Sequence, residues 1–153
     1  MQSLNNGCRY VDWDTITDAP EFSFAEQTIE AKVVSVYDGD TIKIVFPLHK
    51  TFYKWNCRLT GVDTPEIRTR CKEEKEFGYK VRDCLRDKIL NKVVTVKCGD
   101  FDKYGRLLIE IICIGESCTV NDWLIQNDYA FAYDGGTKKS WKEFLENKGK
   151  HPL

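Results

Sequence analysis

Three strand-like segments follow one another with only short connections: Ile29–Tyr37, Thr41–Phe46 and Phe52–Gly61, separated by Asp38-Gly39-Asp40 and by Pro47–Lys50. Asp-Gly between two such segments is a hairpin signal, so the three are expected to form an antiparallel meander. Its charges are what set this meander apart. Asp38, Asp40, Arg58, Asp63 and Glu66 stand inside or at the ends of otherwise apolar sequence, where ionised groups are seldom placed without partners.

After the meander, residues 67–73 are polar and rich in Arg and Lys, with no period, and read as a mobile surface loop. A helix is expected from about Glu74 to Leu90, with Phe77, Val81, Cys84, Leu85 and Ile89 near the spacing of one buried face; Gly78 weakens its first turn. Lys92–Cys98 alternates as a fourth strand, and Arg106–Ile114, reached through Gly99–Gly105, reads as a fifth. Thr119 is a good cap for a short helix Val120–Gln126, and a last helix over Lys138–Asn147 carries Trp141, Phe144 and Leu145 on one side, with Pro152 beyond it. Five strands with a helix between the third and fourth and another after the fifth suit an α+β, mainly β fold. The expected form is a five-stranded Greek-key barrel of the oligonucleotide-binding (OB-fold) type with two to three packed helices. At 153 residues and 42% apolar content the chain makes one domain with a real core.

Residues 1–27 read as an acidic N-terminal extension and 28–153 as the folded domain, with Tyr10, Trp13, Phe22 and Phe24 scattered through the extension without a period. The formal charge of −1 hides an asymmetry: residues 1–30 hold one Arg and six acids, whereas 31–153 hold 22 bases and 18 acids. A basic body permits a polyanionic partner without requiring one. The acidic leader is either a solvated tail or a segment lying over the basic surface in competition with substrate.

The longest apolar runs, Leu107-Leu108-Ile109 and Ile111–Ile114, are too short for a bilayer, and Met1–Asn6 lacks a basic segment followed by an apolar one. No membrane association and no secretion are expected. Seven cysteines occur without a C-x-x-C pair, and only His49 and His151 could supplement them, which argues against a zinc site. An odd number of thiols at strand and helix positions fits free cysteines in a reducing, intracellular compartment.

The acids and arginines fall in three blocks: Asp38-Gly39-Asp40-Thr41, the run Arg58-Leu59-Thr60-Gly61-Val62-Asp63-Thr64-Pro65-Glu66, and Asp102-Lys103-Tyr104-Gly105-Arg106. Taken singly each has an ordinary reading, as a hairpin turn, a solvated glutamate after a rigid Thr-Pro, or an Arg in a surface ion pair. Taken together they supply what phosphodiester cleavage requires, namely oxygen ligands for a cation, a base for water and guanidinium forks for phosphate. At these blocks the chain resembles the staphylococcal nuclease (thermonuclease) family, and the likeness runs from about Thr28 to Tyr133. The resemblance implies the same barrel. It implies a calcium ion held by Asp40, Asp63 and the backbone carbonyl of Thr64, and Glu66 as general base or water-orienting group. It also implies Arg58 and Arg106 as phosphate clamps, with Lys103 and Tyr104 on a terminal phosphate.

Tyr133 lies where the family has aromatics that stack on a base, though core packing beside Phe131 is an equal alternative. The implied activity is calcium-dependent hydrolysis of DNA and RNA leaving 3′-phosphate ends, by a monomer with no obligate protein partner. The loop 67–76 is neither as long nor as lysine-rich as in the bacterial enzyme, and the final helix is short. Two rivals stand beside this reading: a catalytically weak nucleic-acid-binding module of the same family, and a nuclease using Mg²⁺ or Mn²⁺, which hard oxygen ligands admit equally.

Overall fold

The structure is a computed structural model that describes residues 10–150; Cys8, His151, Pro152 and the start of the expected leader lie outside the described residues. Five strands close into a barrel: β1 (Thr28–Val36), β2 (Thr41–Leu48), β3 (Thr51–Leu59), then β5 (Val93–Phe101) and β6 (Leu107–Cys113). Around the barrel the order is β1-β2-β3-β6-β5, with β5 returning to β1. The β3–β6 contact is parallel and the other four are antiparallel. Alternation along each strand sends Val33, Ile42, Ile44, Leu59, Val96, Leu107, Ile109 and Ile111 into the interior, where they are fully buried.

Helix α1 (Lys72–Ile89) closes one end with Val81, Leu85 and Ile89. Helix α2 (Val120–Gln126) begins as its Thr119 cap requires, with the hydroxyl accepting the Asp122 N–H at 3.1 Å. The buried Asn121 in α2 accepts from Ile111 N and donates to the carbonyls of Thr60 and Ile109. It thereby satisfies backbone groups at the β3–β6 seam. The six described cysteines are free, and burial pushes the Cys57 thiol up to about 12, so it behaves as a core residue.

Several boundaries differ from those expected. The Pro47–Lys50 connection shrinks to His49-Lys50, because both residues adopt positive φ (50° and 67°) and Leu48 pairs directly with Thr51. This is the geometry of a two-residue hairpin turn, here without its usual Asn-Gly signature. β5 continues to Phe101 through a register shift against β6, where a Cβ on Gly99 would come within 3.2 Å of the Leu108 carbonyl oxygen.

Helix α1 starts at Lys72. Within the expected 67–73 loop, Ile67 is buried under the helix, and a Cβ on Gly78 would meet Ile67 Cγ2 at 2.9 Å and the Pro65 carbonyl at 3.0 Å. Gly78 therefore marks a close approach between α1 and the turn carrying Glu66. The last helix, α3 (Trp141–Lys150), lies three residues beyond the expected Lys138–Asn147, and the Ser140 hydroxyl accepts the Glu143 N–H at 3.2 Å. Ser140-Trp-Lys-Glu143 has the sequence form of a capping box, so Lys138 lies in the connection before the helix. A two-residue ladder between β4 (Val62–Asp63) and β7 (Phe131–Ala132) was not readable from pattern. Within the leader, Phe24 enters the core, edge-on to Phe46 and Trp55, while Tyr10, Trp13 and Phe22 stay exposed.

Candidate active site

The Asp38–Thr41 turn is built by its first acid. The Asp38 carboxylate accepts N–H groups from Asp40 at 3.1 Å and Thr41 at 2.9 Å, closing a tight Asx-type turn at the β1–β2 corner. Gly39 is needed there because a Cβ would sit 2.7 Å from Thr64 Cβ, a distance at which something must shift. The turn thus lies directly on the second block. Asp38 has little contact with water, and burial first and the Asp40 charge second push its carboxyl up to about 7.

Ladder register brings the second block to the first. Thr41 pairs across from Arg58, and the Asp40 carbonyl accepts the Leu59 N–H at 2.8 Å. The Arg58 guanidinium comes to lie 3.4 Å from the Asp40 carboxylate, and it also donates to the Val62 carbonyl at 3.3 Å. β4 then fixes Asp63 against β7, where it is 3% exposed, and Thr64 is buried beneath Gly39. Pro65 turns the chain so that Glu66 reaches solvent, and the Glu66 N–H donates to the Glu74 carboxylate on the first turn of α1 at 2.8 Å. In the third block, Asp102 accepts the backbone N–H groups of Tyr104 and Arg106 and pairs with Arg106 Nε at 2.8 Å. Burial alone would raise the Asp102 carboxyl, but these donors hold it below its ordinary value. Since Asp102 engages Nε, the terminal nitrogens of Arg106 remain for another partner.

Asp40, Arg58, Glu66 and Arg106 line one cleft of about 520 Å³, together with Tyr37, Asp38, Thr41, Lys43, Arg68 and Lys138. Five bases against three acids make its lining net cationic. Asp63 and Thr64 line a smaller cavity behind it, which shares Glu66 and Lys138 with the cleft. Tyr133 lies in a neighbouring groove of about 360 Å³ that shares Arg58 and includes Gly61 and Leu108. Lys103 and Tyr104 line none of these; Tyr104 is exposed, with the Lys103 ammonium 5.2 Å and the Arg106 guanidinium 5.3 Å from its ring centre.

The acids sense one another. Burial raises the Asp63 carboxyl, the Lys138 ammonium at 3.4 Å pulls it back, and Asp40 adds to the rise. For Glu66 partial enclosure and then the Asp40 charge raise the carboxyl, again opposed by Lys138. Among the described residues no group of three or more His, Cys, Asp or Glu side chains is arranged to hold a metal ion unaided. Asp40 and Asp63 are nevertheless two buried carboxylates close enough that the Asp40 charge raises the Asp63 carboxyl, and each is offset by one cation, Arg58 and Lys138 respectively. Hard oxygen groups of this kind suit a divalent ion completing its shell from water and phosphate. Lys43, Arg68 and Lys138 were not foreseen as part of this region, and Asp38, although in the first block, was given no role of its own. Only the Asp38 turn left a sequence signal, and that signal reads as a hairpin.

A five-stranded barrel with this strand order and a cationic cleft beside its β1–β2 corner is of the oligonucleotide-binding class. Residues 56–150 match the family described as Staphylococcal nuclease homologue, and the chain belongs to that family. The matched range begins after Asp40, whose place beside Arg58 is therefore known from the fold alone. Among similar proteins, "Uncharacterized protein MJ1439" of Methanocaldococcus jannaschii is 29% identical over 86% of this chain and 72% of its own length. "Endonuclease Htp3" of Saprolegnia parasitica is 29% identical over 79% of this chain and 64% of that protein. "Endonuclease YhcR" of Bacillus subtilis is 34% identical over 80% of this chain but only 10% of that protein. The chain thus spans less than two thirds of the length of each of these two endonucleases. Among the described residues no helix is long and apolar enough to cross a membrane.

Proposed function

We propose that this protein is a calcium-dependent nuclease that hydrolyses phosphodiester bonds of DNA and RNA and leaves 3′-phosphate ends. The observation that carries the reading is the single cleft shared by Asp40, Arg58, Glu66 and Arg106, which come from three separate stretches of chain. Arg106, held through Nε by Asp102, presents its remaining N–H fork to the scissile phosphate, and Arg58 approaches from the strand beside it. Such pre-oriented donors favour the charge that builds on the phosphoryl oxygens during attack.

Glu66, raised toward working pH and pinned through its backbone by Glu74, accepts the proton of the attacking water. The water oxygen bonds to phosphorus, the bond to the 5′-oxygen breaks, and that oxygen leaves with a proton from solvent. Asp40, Asp63 and the Thr64 carbonyl would hold the calcium ion, which when bound supplies positive charge to the phosphate. Lys103 and Tyr104 sit beside Arg106 to meet a terminal phosphate, and Tyr133 offers a stacking face in the neighbouring groove. No role falls to the sugar 2′-hydroxyl, so both nucleic acids serve as substrate. The free cysteines favour a reducing, intracellular setting, with residues 28–153 as the nuclease domain of a monomer and 1–27 as its extension.

The test is digestion of single-stranded DNA and RNA with calcium or with chelator, repeated on Glu66→Gln. The expected result is cleavage only with calcium and a loss of about 10²–10⁴-fold in the variant. Binding without cleavage in every tube would make the protein a binding module, and equal rates in chelator would remove the metal.

A further inference from the structure

Lys138 carries the one ammonium group that lines both the catalytic cleft and the small cavity behind it. Its Nζ lies 3.4 Å from Asp63 Oδ1 and 5.6 Å from the centre of the Tyr133 ring. The partners are unequally placed: the Asp63 side chain is 5% exposed and that of Lys138 is 48% exposed. A nearly buried carboxylate has thus been given a counter-ion that arrives from outside on a four-carbon stem. Lys138 makes no other ion pair among the described residues. Its backbone belongs to the connection between β7 and the Ser140 cap, which contains Gly135 at φ +98° and Gly136. The ammonium, at 3.4 Å from one carboxylate oxygen, is held less closely than the Arg106 Nε that Asp102 binds at 2.8 Å.

Resting on the reading of Asp63 as a metal ligand, we propose that Lys138 is a tethered counter-cation that neutralises Asp63 in the metal-free protein and must leave it when a divalent ion binds. An ammonium and a divalent ion drawn to the same carboxylate repel each other, so each lowers the occupancy of the other. Lys138 also faces the cleft that Arg58 and Arg106 make attractive to phosphate. A phosphodiester entering that cleft competes with Asp63 for the ammonium, and by reciprocity whatever draws Lys138 away from Asp63 tightens the metal. Metal capture is thereby coupled to the arrival of the polyanion. The device makes the empty enzyme a weaker metal binder than its carboxylates alone would be.

Calorimetric titration of the full chain with calcium at fixed pH and salt tests this without reference to turnover. Lys138→Met is expected to bind calcium about tenfold more tightly than the parent, the effect of removing a half-exposed competing charge. Lys138→Arg, which keeps the charge, is expected to bind as the parent does. In a Glu66→Gln background, an oligothymidylate is expected to tighten calcium binding more in the presence of Lys138 than in its absence. Calcium binding that is lost in Asp63→Asn but unchanged or weakened in Lys138→Met overturns the counter-cation and leaves the metal site standing. Calcium binding that Asp63→Asn leaves intact, or that neither the parent nor Lys138→Met shows, removes the metal site and the counter-cation together.

Discussion

Asp38 is a buried acid in which enclosure and the Asp40 charge outweigh the Asp40 and Thr41 N–H groups that favour its ionised form, and Asp38→Asn isolates what the buried charge costs. The amide keeps an oxygen able to accept the Asp40 and Thr41 N–H groups, so the turn survives while the charge is removed. The carboxyl is raised from 3.8 to about 7 by burial and by Asp40. Between these values the folded chain holds a proton that the unfolded chain has lost. Stability contributed by this group is complete below the unfolded value and falls as pH rises through the folded one. The slope is about 1.4 kcal/mol per pH unit, with a ceiling of roughly 4 kcal/mol by pH 8. Burial also raises Asp63 and Glu66, which adds slope of the same sign to the parent, so the difference between the two proteins is the quantity to read. The assay is urea denaturation in chelator from pH 4 to 8. The variant is expected to match the parent near pH 4 and to exceed it by about 2–4 kcal/mol at pH 8. Parallel curves across that range would refute the account of Asp38 as a destabilised buried charge.

Other substitutions probe the packing that builds the site. Gly78→Ala gains helix propensity of about 1 kcal/mol, yet its new methyl meets Ile67 and the Pro65 carbonyl at 2.9–3.0 Å; net loss of stability in denaturation and a lower cleavage rate are expected, and a stabilised variant would refute the close approach. Phe24→Ala vacates a pocket made by Phe46, Trp55 and Phe101, so its denaturation midpoint should fall by an amount equal to about 3–5 kcal/mol. Arg106→Lys retains charge but loses the fork that Asp102 orients. Its turnover is expected to drop by about 10²-fold with unchanged thermal stability.

Much of the barrel was legible because a strand announces itself within a few residues. The alternation of β1, β2, β5 and β6, the Asp38-Gly39-Asp40 corner and the Thr119 cap of α2 all follow from local periodicity and turn chemistry. At α1 and β5 the differences trace to non-local contacts, since Gly78 makes room for Ile67 and Gly99 lets β5 pass Leu108, whereas the His49-Lys50 turn differs through its own positive φ values. The three-residue displacement of α3 is different, since Ser140 and Glu143 spelled the cap in plain sequence.

The candidate site divides along the same line. Sequence by itself supplied the chemical inventory, because the identity of Asp40, Arg58, Asp63, Glu66 and Arg106 is a property of each position alone. Only the tertiary structure decided that Asp40 faces Arg58 across the β2–β3 ladder, that Asp63 withdraws behind the cleft on the β4–β7 ladder, and that Lys138 reaches it from the far end of the chain. Such distances are fixed by strand register and barrel closure, which join residues remote in sequence. The charge a carboxylate feels therefore depends on neighbours that no local pattern records.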